Sequence, residues 1–410
     1  MSIIAFGAGL NDSHQLGNKS NSEANGNPTV VTPVKFDNID GKSIRCVSAG
    51  SDQTLFVMND GRVFALGNDS RFHIGSEKRI EYSYPTEVRI SKERITWAAC
   101  GRSYSIYLTS SGRVIYCSEK SIGNRAIITH SVPAVYVCGG MSFPCSIDRD
   151  GAFYVFDEDP SREPKRYQLE KPVFDIASGI GFVLALTLDG VVYGNGQLNN
   201  YQDSFVPIIS LSTVNVTRVF AFGQHAAVLT DSGKLRTWGN NVCGQLGMGT
   251  TEKNHTFSKV TTLKDVPLSL IACGREHTVF VTDDGRLMGC GANNCGQLMF
   301  GHNEPKVLTP EVSPEFNEHV AFIAAGCYHT VLVTGDVPLK HPGADAFGLY
   351  CSPIEEEEEE EEIDELTMLR RENQALKDKL AIMEQENGDL MARVKMLESK
   401  LRAVRKALKT

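Results

Sequence analysis

The sequence predicts an all-β fold, a seven-bladed β-propeller closed by its own N-terminal strand, followed by a long C-terminal α-helical coiled coil. Three observations carry this. A glycine-led unit recurs seven times, two incomplete units at the chain ends complement one another, and the C-terminal stretch keeps an unbroken heptad.

The unit is clearest in IACGREHTVFVTDDGRLMGCG around Gly274, and it is echoed around Gly50, Gly101, Gly140, Gly179, Gly223 and Gly326. Successive leading glycines lie 51, 39, 39, 44, 51 and 52 residues apart. In five of the first six copies a second Gly follows eleven residues later, in a DG or SG pair; after Gly223 the offset is ten. Each copy reads as a short strand of alternating character (HTVFVT, QTLFVM, FVLALT), a turn and a second strand (RLMGCG, RVFALG, KLRTWG). Asp-Gly and Ser-Gly favour a tight hairpin because Gly accepts positive φ without strain. Strand-only units of ~40–50 residues mean a radial array of blades, not a helical solenoid.

The ends point to ring closure. The copy at Gly326 has a first strand, IAAGCYHTVLVT, and lacks the second, whereas IIAFGAGLNDSHQLG at the N-terminus is a second strand and loop with no first. Paired, they complete the seventh blade of a propeller that spans residues 1–336, and no apolar blade face is left open.

Composition narrows the function classes. The net charge of -9 is carried largely by Glu355 to Glu362, and the first 354 residues are only weakly acidic, which does not fit a nucleic-acid binder with a basic stripe. The N-terminus has no signal-peptide pattern and no segment approaches the ~18 apolar residues of a membrane span, so an intracellular protein is expected, cytoplasmic with a nuclear location as the alternative. Eleven cysteines among apolar neighbours read as buried thiols. There is no CxxC pair to suggest zinc, and no glycine loop matches a P-loop, so neither metal nor cofactor is expected.

GREHTVFVTDDG, TWGNNVCGQLG and CGANNCGQLMFG resemble the repeats of the regulator of chromosome condensation family of seven-bladed propellers. The copies at Gly140 and Gly179 depart from that pattern, with FDEDPSREP and YGNGQLNNYQ where the W-G-N loop is expected. In exchange factors of this family, acidic and histidine residues of the inter-blade loops touch a small GTPase. The resemblance therefore implies partner contacts at Asp52, Glu276, His277 and His329, while Gln53, Tyr104, Phe143 and Phe182 depart at other blades. The insertion Asp157 to Tyr167, DEDPSREPKRY, adds Asp157 and Arg162 as candidate contacts, being charged and proline-bounded. From the residues alone, each repeat's histidine is expected to cap the turn of its own blade. Trp97 and Trp238 are too few to form the tryptophan cluster of the plant ultraviolet photoreceptor that shares this fold.

Residues 337–362 form a Pro/Gly linker ending in the glutamate run, which reads as a solvated spacer. Over residues 363–410, heptad position a holds Leu366, Asn373, Leu380, Asn387, Val394, Leu401 and Leu408, and position d holds Leu369, Leu376, Met383, Leu390, Leu397 and Val404. So sustained a 3.5-residue repeat predicts a coiled coil, and asparagine at a favours a parallel dimer. Glu365 with Arg370, Glu372 with Lys377, Lys379 with Glu384 and Arg393 with Glu398 attract across such a dimer, while Lys400 with Arg405 repels. A DNA-binding zipper carries a basic helix where this chain has glutamates, so DNA binding is not expected.

Together these features predict a non-catalytic scaffold that dimerises with itself and binds proteins through its propeller loops. The alternative implied by the resemblance is a guanine-nucleotide exchange factor for a Ran- or Ras-like GTPase. Such a factor forms no covalent bond; it binds the nucleotide-free GTPase better than the loaded one.

Overall fold

The computed structural model describes residues 4–335 except 19–21, 25–26, 38, 40–43, 77–79, 122–124, 129, 264–265 and 317. The linker, the glutamate run and every heptad residue from Leu366 to Leu408 lie outside the described residues.

Seven antiparallel sheets surround a central axis. In chain order, blades 1 to 6 occupy residues 44–88, 95–128, 134–167, 173–207, 216–259 and 268–312, with four strands each. Blade 6 shows the plan: Leu268–Cys273 lines the axis, and His277–Thr282, Leu287–Ala292 and Lys306–Val312 follow outward. The loops after the first and third strands share one face of the disc, called here the glycine-loop face. The turns after the second strands lie on the other, the hairpin face.

Blade 7 is split between the chain ends. Val320–Ala325 and His329–Thr334 come from the C-terminal side, and Ala5–Leu10 pairs with the latter from Ala5↔Val333 to Gly9↔His329. Closure takes more than the single strand expected, because Asn27–Lys35 and Ser22–Ala24 extend the sheet outward to five strands. Thr334 N–H to Ile4 O at 2.8 Å prolongs the seam.

The second strands do not alternate between core and solvent, as their pattern suggested. All six residues of Gln53–Met58, His277–Thr282 and His329–Thr334 are buried, because both faces of each blade pack on a neighbour. Phe56, Phe280 and Leu55 have no exposed surface.

The leading glycine of each copy marks the closest approach between blades. A Cβ on Gly326 would lie 2.2 Å from Gly50 O, and one on Gly140 would lie 1.8 Å from Ser178 O. Such a gap admits no side chain. It leaves the loop backbones near enough to bond, as in Cys327 N–H to Gly50 O (2.9 Å) and Arg275 N–H to Gly326 O (3.3 Å).

Each axial strand carries a bulge near its hairpin-face end, for example between Ile95 and Trp97, Val173 and Asp175, and Val216 and Arg218. The residues just past these bulges point toward the axis and fill that end of the channel. Trp97 meets Tyr136 and Phe322 at 6.2 and 6.4 Å between centroids, and Arg218 Nε bonds Asp175 Oδ2 at 3.0 Å. About 170 Å3 remains open along the axis.

Candidate functional site: the glycine-loop face

The sequence offers the histidines both as turn caps and as partner contacts. His225, His277 and His329 each begin a second strand and are fully buried. None caps its own blade. His225 Nε2 reaches Thr278 Oγ1 of blade 6 (2.9 Å), His277 reaches Thr330 of blade 7 (3.0 Å), and His329 reaches Thr54 of blade 1 (3.0 Å). Thr278 and Thr54 each donate their hydroxyl proton to a carbonyl, of Gln245 and Gln15 respectively, both at 2.7 Å. Their oxygens therefore accept from Nε2–H of His225 and His329, which puts a proton on Nε2 of these two rings. Burial pulls the rings down to about 4 for His225 and about 3 for His277 and His329. As placed, His277 and His329 present no surface to a partner.

Where the histidine is replaced, the same slot still ties one blade to the next. Gln53 Nε2 donates to Tyr104 O (3.1 Å), Tyr104 Oη donates to Gly140 O (2.8 Å), and Phe182 packs edge-on against Trp238 (5.1 Å). Latching, not acid–base chemistry, accounts for this slot.

The surface around these latches is a groove of about 680 Å3 that runs across blades 7, 1, 2 and 3, with Arg275 of blade 6 at its edge. Asp52 lies in it, half-buried; burial raises its carboxyl, Asp12 adds to the rise, and Arg71 and Arg102 oppose it. Glu276 is half-buried on the same face, with Oε2 accepting from Cys243 Sγ at 3.8 Å. Burial first, and then Glu276, raises the Cys243 thiol. Asp157 and Arg162 pair with each other at 3.1 Å in the blade 3 loop, outside the groove lining. The Asp159 backbone N–H is the main cause holding the Asp157 carboxyl low, and the Arg162 guanidinium adds to it. The loop backbone is anchored to blade 2, where Tyr116 Oη donates to Asp157 O at 3.2 Å.

Three groove residues were missed by sequence reasoning: Arg71, Arg102 and Arg275. None forms an ion pair within 4 Å among the described residues, and Arg275 lies over the Tyr328 ring at 5.2 Å. Arg102 and Arg275 each directly follow a leading glycine, in GRSY and GREH, a shared position that could have flagged them. Among the described residues no group of three or more His, Cys, Asp or Glu side chains is arranged to hold a metal.

Comparison with known proteins places this arrangement. Two family models described as the Regulator of chromosome condensation (RCC1) repeat match the chain, one at residues 218–245 and 269–297, the other at 60–108 and 232–281. RCC1 repeats thus lie within this seven-bladed propeller. The RCC1-type chain is 24% identical over 332 residues to the Ultraviolet-B receptor UVR8 of Arabidopsis thaliana, a match covering 77% of this chain and 70% of that protein. It is 34% identical over 145 residues to the Secretion-regulating guanine nucleotide exchange factor of Mus musculus, covering 35% of this chain and 31% of the relative's length. Among solved structures, Prp20p of Saccharomyces cerevisiae, whose structure was described with its binding to Gsp1p and histones, superposes with a TM-score of 0.70 at 16% identity. That superposition covers 85% of this chain and 94% of Prp20p. Human WBSCR16 superposes with a TM-score of 0.69 at 20% identity, covering 82% of this chain and all of the other. At these identities the two structures speak for the fold alone.

Proposed function

We propose that this RCC1-type propeller is a non-catalytic scaffold that docks a protein partner in the groove of its glycine-loop face. The observation that carries the reading is the set of Arg71, Arg102 and Arg275 around half-buried Asp52, charged groups without ion-pair partners among the described residues. Groups left so are free to pair across an interface, where charge complementarity sets orientation and association rate. Dimerisation through residues 363–410 would present two grooves at once and raise avidity by about 10²–10⁴ where both engage. Removing residues 363–410 then converts a dimer into a folded monomer, read by light scattering; a truncated chain that stays dimeric removes the zipper from the proposal.

A second reading, guanine-nucleotide exchange on a small GTPase, is favoured by the 34% identity to the secretion-regulating exchange factor. Release of labelled nucleotide from a panel of small GTPases separates the two. Acceleration that is lost on Arg102→Glu selects exchange, and binding without acceleration selects the scaffold.

A further inference from the structure

The hairpin face holds a second, chemically different pocket. It encloses about 400 Å3 between blades 1, 2 and 3, and is lined by Arg45, Thr96, Ser110, Ser111 and Arg149 together with apolar and backbone groups. None of its described lining residues is acidic. Three of them, Arg45, Thr96 and Val135, are the extra residues of the bulges in three neighbouring axial strands, between Ile44 and Cys46, Ile95 and Trp97, and Ala134 and Tyr136. A bulge turns its unpaired side chain out of the sheet's regular alternation. Here three of them turn into one cavity.

The donors are held ready. Arg45 fixes its Nε on Thr96 O of the next blade at 2.8 Å, which positions the guanidinium and leaves its two terminal nitrogens available. Arg149 stands in the blade 3 hairpin turn, its backbone N–H on Pro133 O at 3.1 Å and its exposed guanidinium with no hydrogen-bond or ion-pair partner among the described residues. Glu93 lies outside the lining; it is paired with Arg113 and accepts from Ser111 Oγ at 2.6 Å. Asp150 shares the turn of Arg149 but does not line the pocket.

We propose that this pocket binds a phosphate monoester, with Arg45 and Arg149 gripping the phosphoryl oxygens and the Ser110 hydroxyl donating a further bond. Planar guanidinium groups suit phosphoryl oxygens because two parallel N–H bonds match their geometry. The volume exceeds that of the bare ion and leaves room for the group that carries the ester. The proposal is independent of what docks on the opposite face.

The test titrates the full chain with inorganic phosphate, O-phosphoserine, a phosphoserine peptide and unphosphorylated serine, at constant ionic strength, by calorimetry. Arg45→Ala, Arg149→Ala and, as a control outside the pocket, Arg62→Ala are compared, with folding checked by circular dichroism. The expected result is saturable binding of the phosphorylated probes, no binding of serine, and affinity about tenfold or more weaker in Arg149→Ala and Arg45→Ala but unchanged in Arg62→Ala. Inorganic phosphate binding as well as the esters assigns the site to the free anion; tighter binding of the peptide assigns it to a modified protein. No saturable binding by any phosphorylated probe, or equal binding by Arg149→Ala, overturns the proposal.

Discussion

His277 Nε2 lies 3.0 Å from Thr330 Oγ1, so the first residue of the second strand in blade 6 is bonded to the second residue of the matching strand in blade 7. The bond joins parts of the chain 53 residues apart without a trace of exposed surface. Replacing His277 with alanine removes a buried bond and opens a cavity, and is expected to cost about 2–4 kcal/mol in urea unfolding. Glutamine, which serves this slot in blade 1 as Gln53, is expected to cost less. Equal stability of the alanine variant and the parent would show that the latch does not hold the blades.

The same histidines set an acid limit. Their folded-state pKa values, about 4 for His225 and about 3 for His277 and His329, lie below the 6.5 of an unfolded chain, so the unfolded state binds more protons as pH falls through 6.5. The stability they contribute is complete above pH 6.5 and is lost progressively toward pH 3–4, at up to ~1.4 kcal/mol per pH unit for each ring. Urea midpoints measured between pH 8 and 5 are expected to fall with acidification, and the triple glutamine variant is expected to have a flatter profile. Parallel profiles would mean that the rings are not buried and neutral.

Gly326→Ala tests the close approach at the ring. The new Cβ meets Gly50 O at 2.2 Å, and backbone cannot give way as a side-chain tip can. Destabilisation of about 1–3 kcal/mol is expected from thermal unfolding, as for other overpacked cores. An unchanged midpoint would place the blades farther apart than described.

The repeat period, the hairpins and the split seventh blade were legible because a glycine without room for a Cβ must recur wherever blades touch. The outer strands were not: Lys306–Val312 and Lys165–Tyr167 face solvent for much of their length, so burial does not constrain their residues to a pattern. Asp52 and Glu276 were found in their loops, but Arg71, Arg102 and Arg275 converge only after folding, from blades 1, 2 and 6. The histidines were recognised as a recurring slot and given the wrong neighbour. The threonine that receives each one sits in the next copy, directly after that copy's own His or Gln in HT or QT, and only the ring shows which copy is next.

The channel pair Asp175 and Arg218 offers a further check. Asp175 is buried and also accepts from the Val219 N–H at 3.1 Å, so Asp175→Ala removes the carboxylate that the partly buried Arg218 guanidinium pairs with. A loss of about 3–5 kcal/mol is expected, with much of it recovered in Asp175→Ala/Arg218→Met. Additive losses in the double variant would contradict a paired role.

The groove is tested most directly by comparing, in quantitative affinity purification from the protein's own cells, the full chain with Arg71→Glu/Arg102→Glu and with the hairpin-face control Arg62→Glu. The expected result is a partner recovered with the parent and the control but depleted at least about tenfold by the groove variant, whose unfolding midpoint is unchanged. Equal recovery of every partner by all three would contradict a docking role for the glycine-loop face.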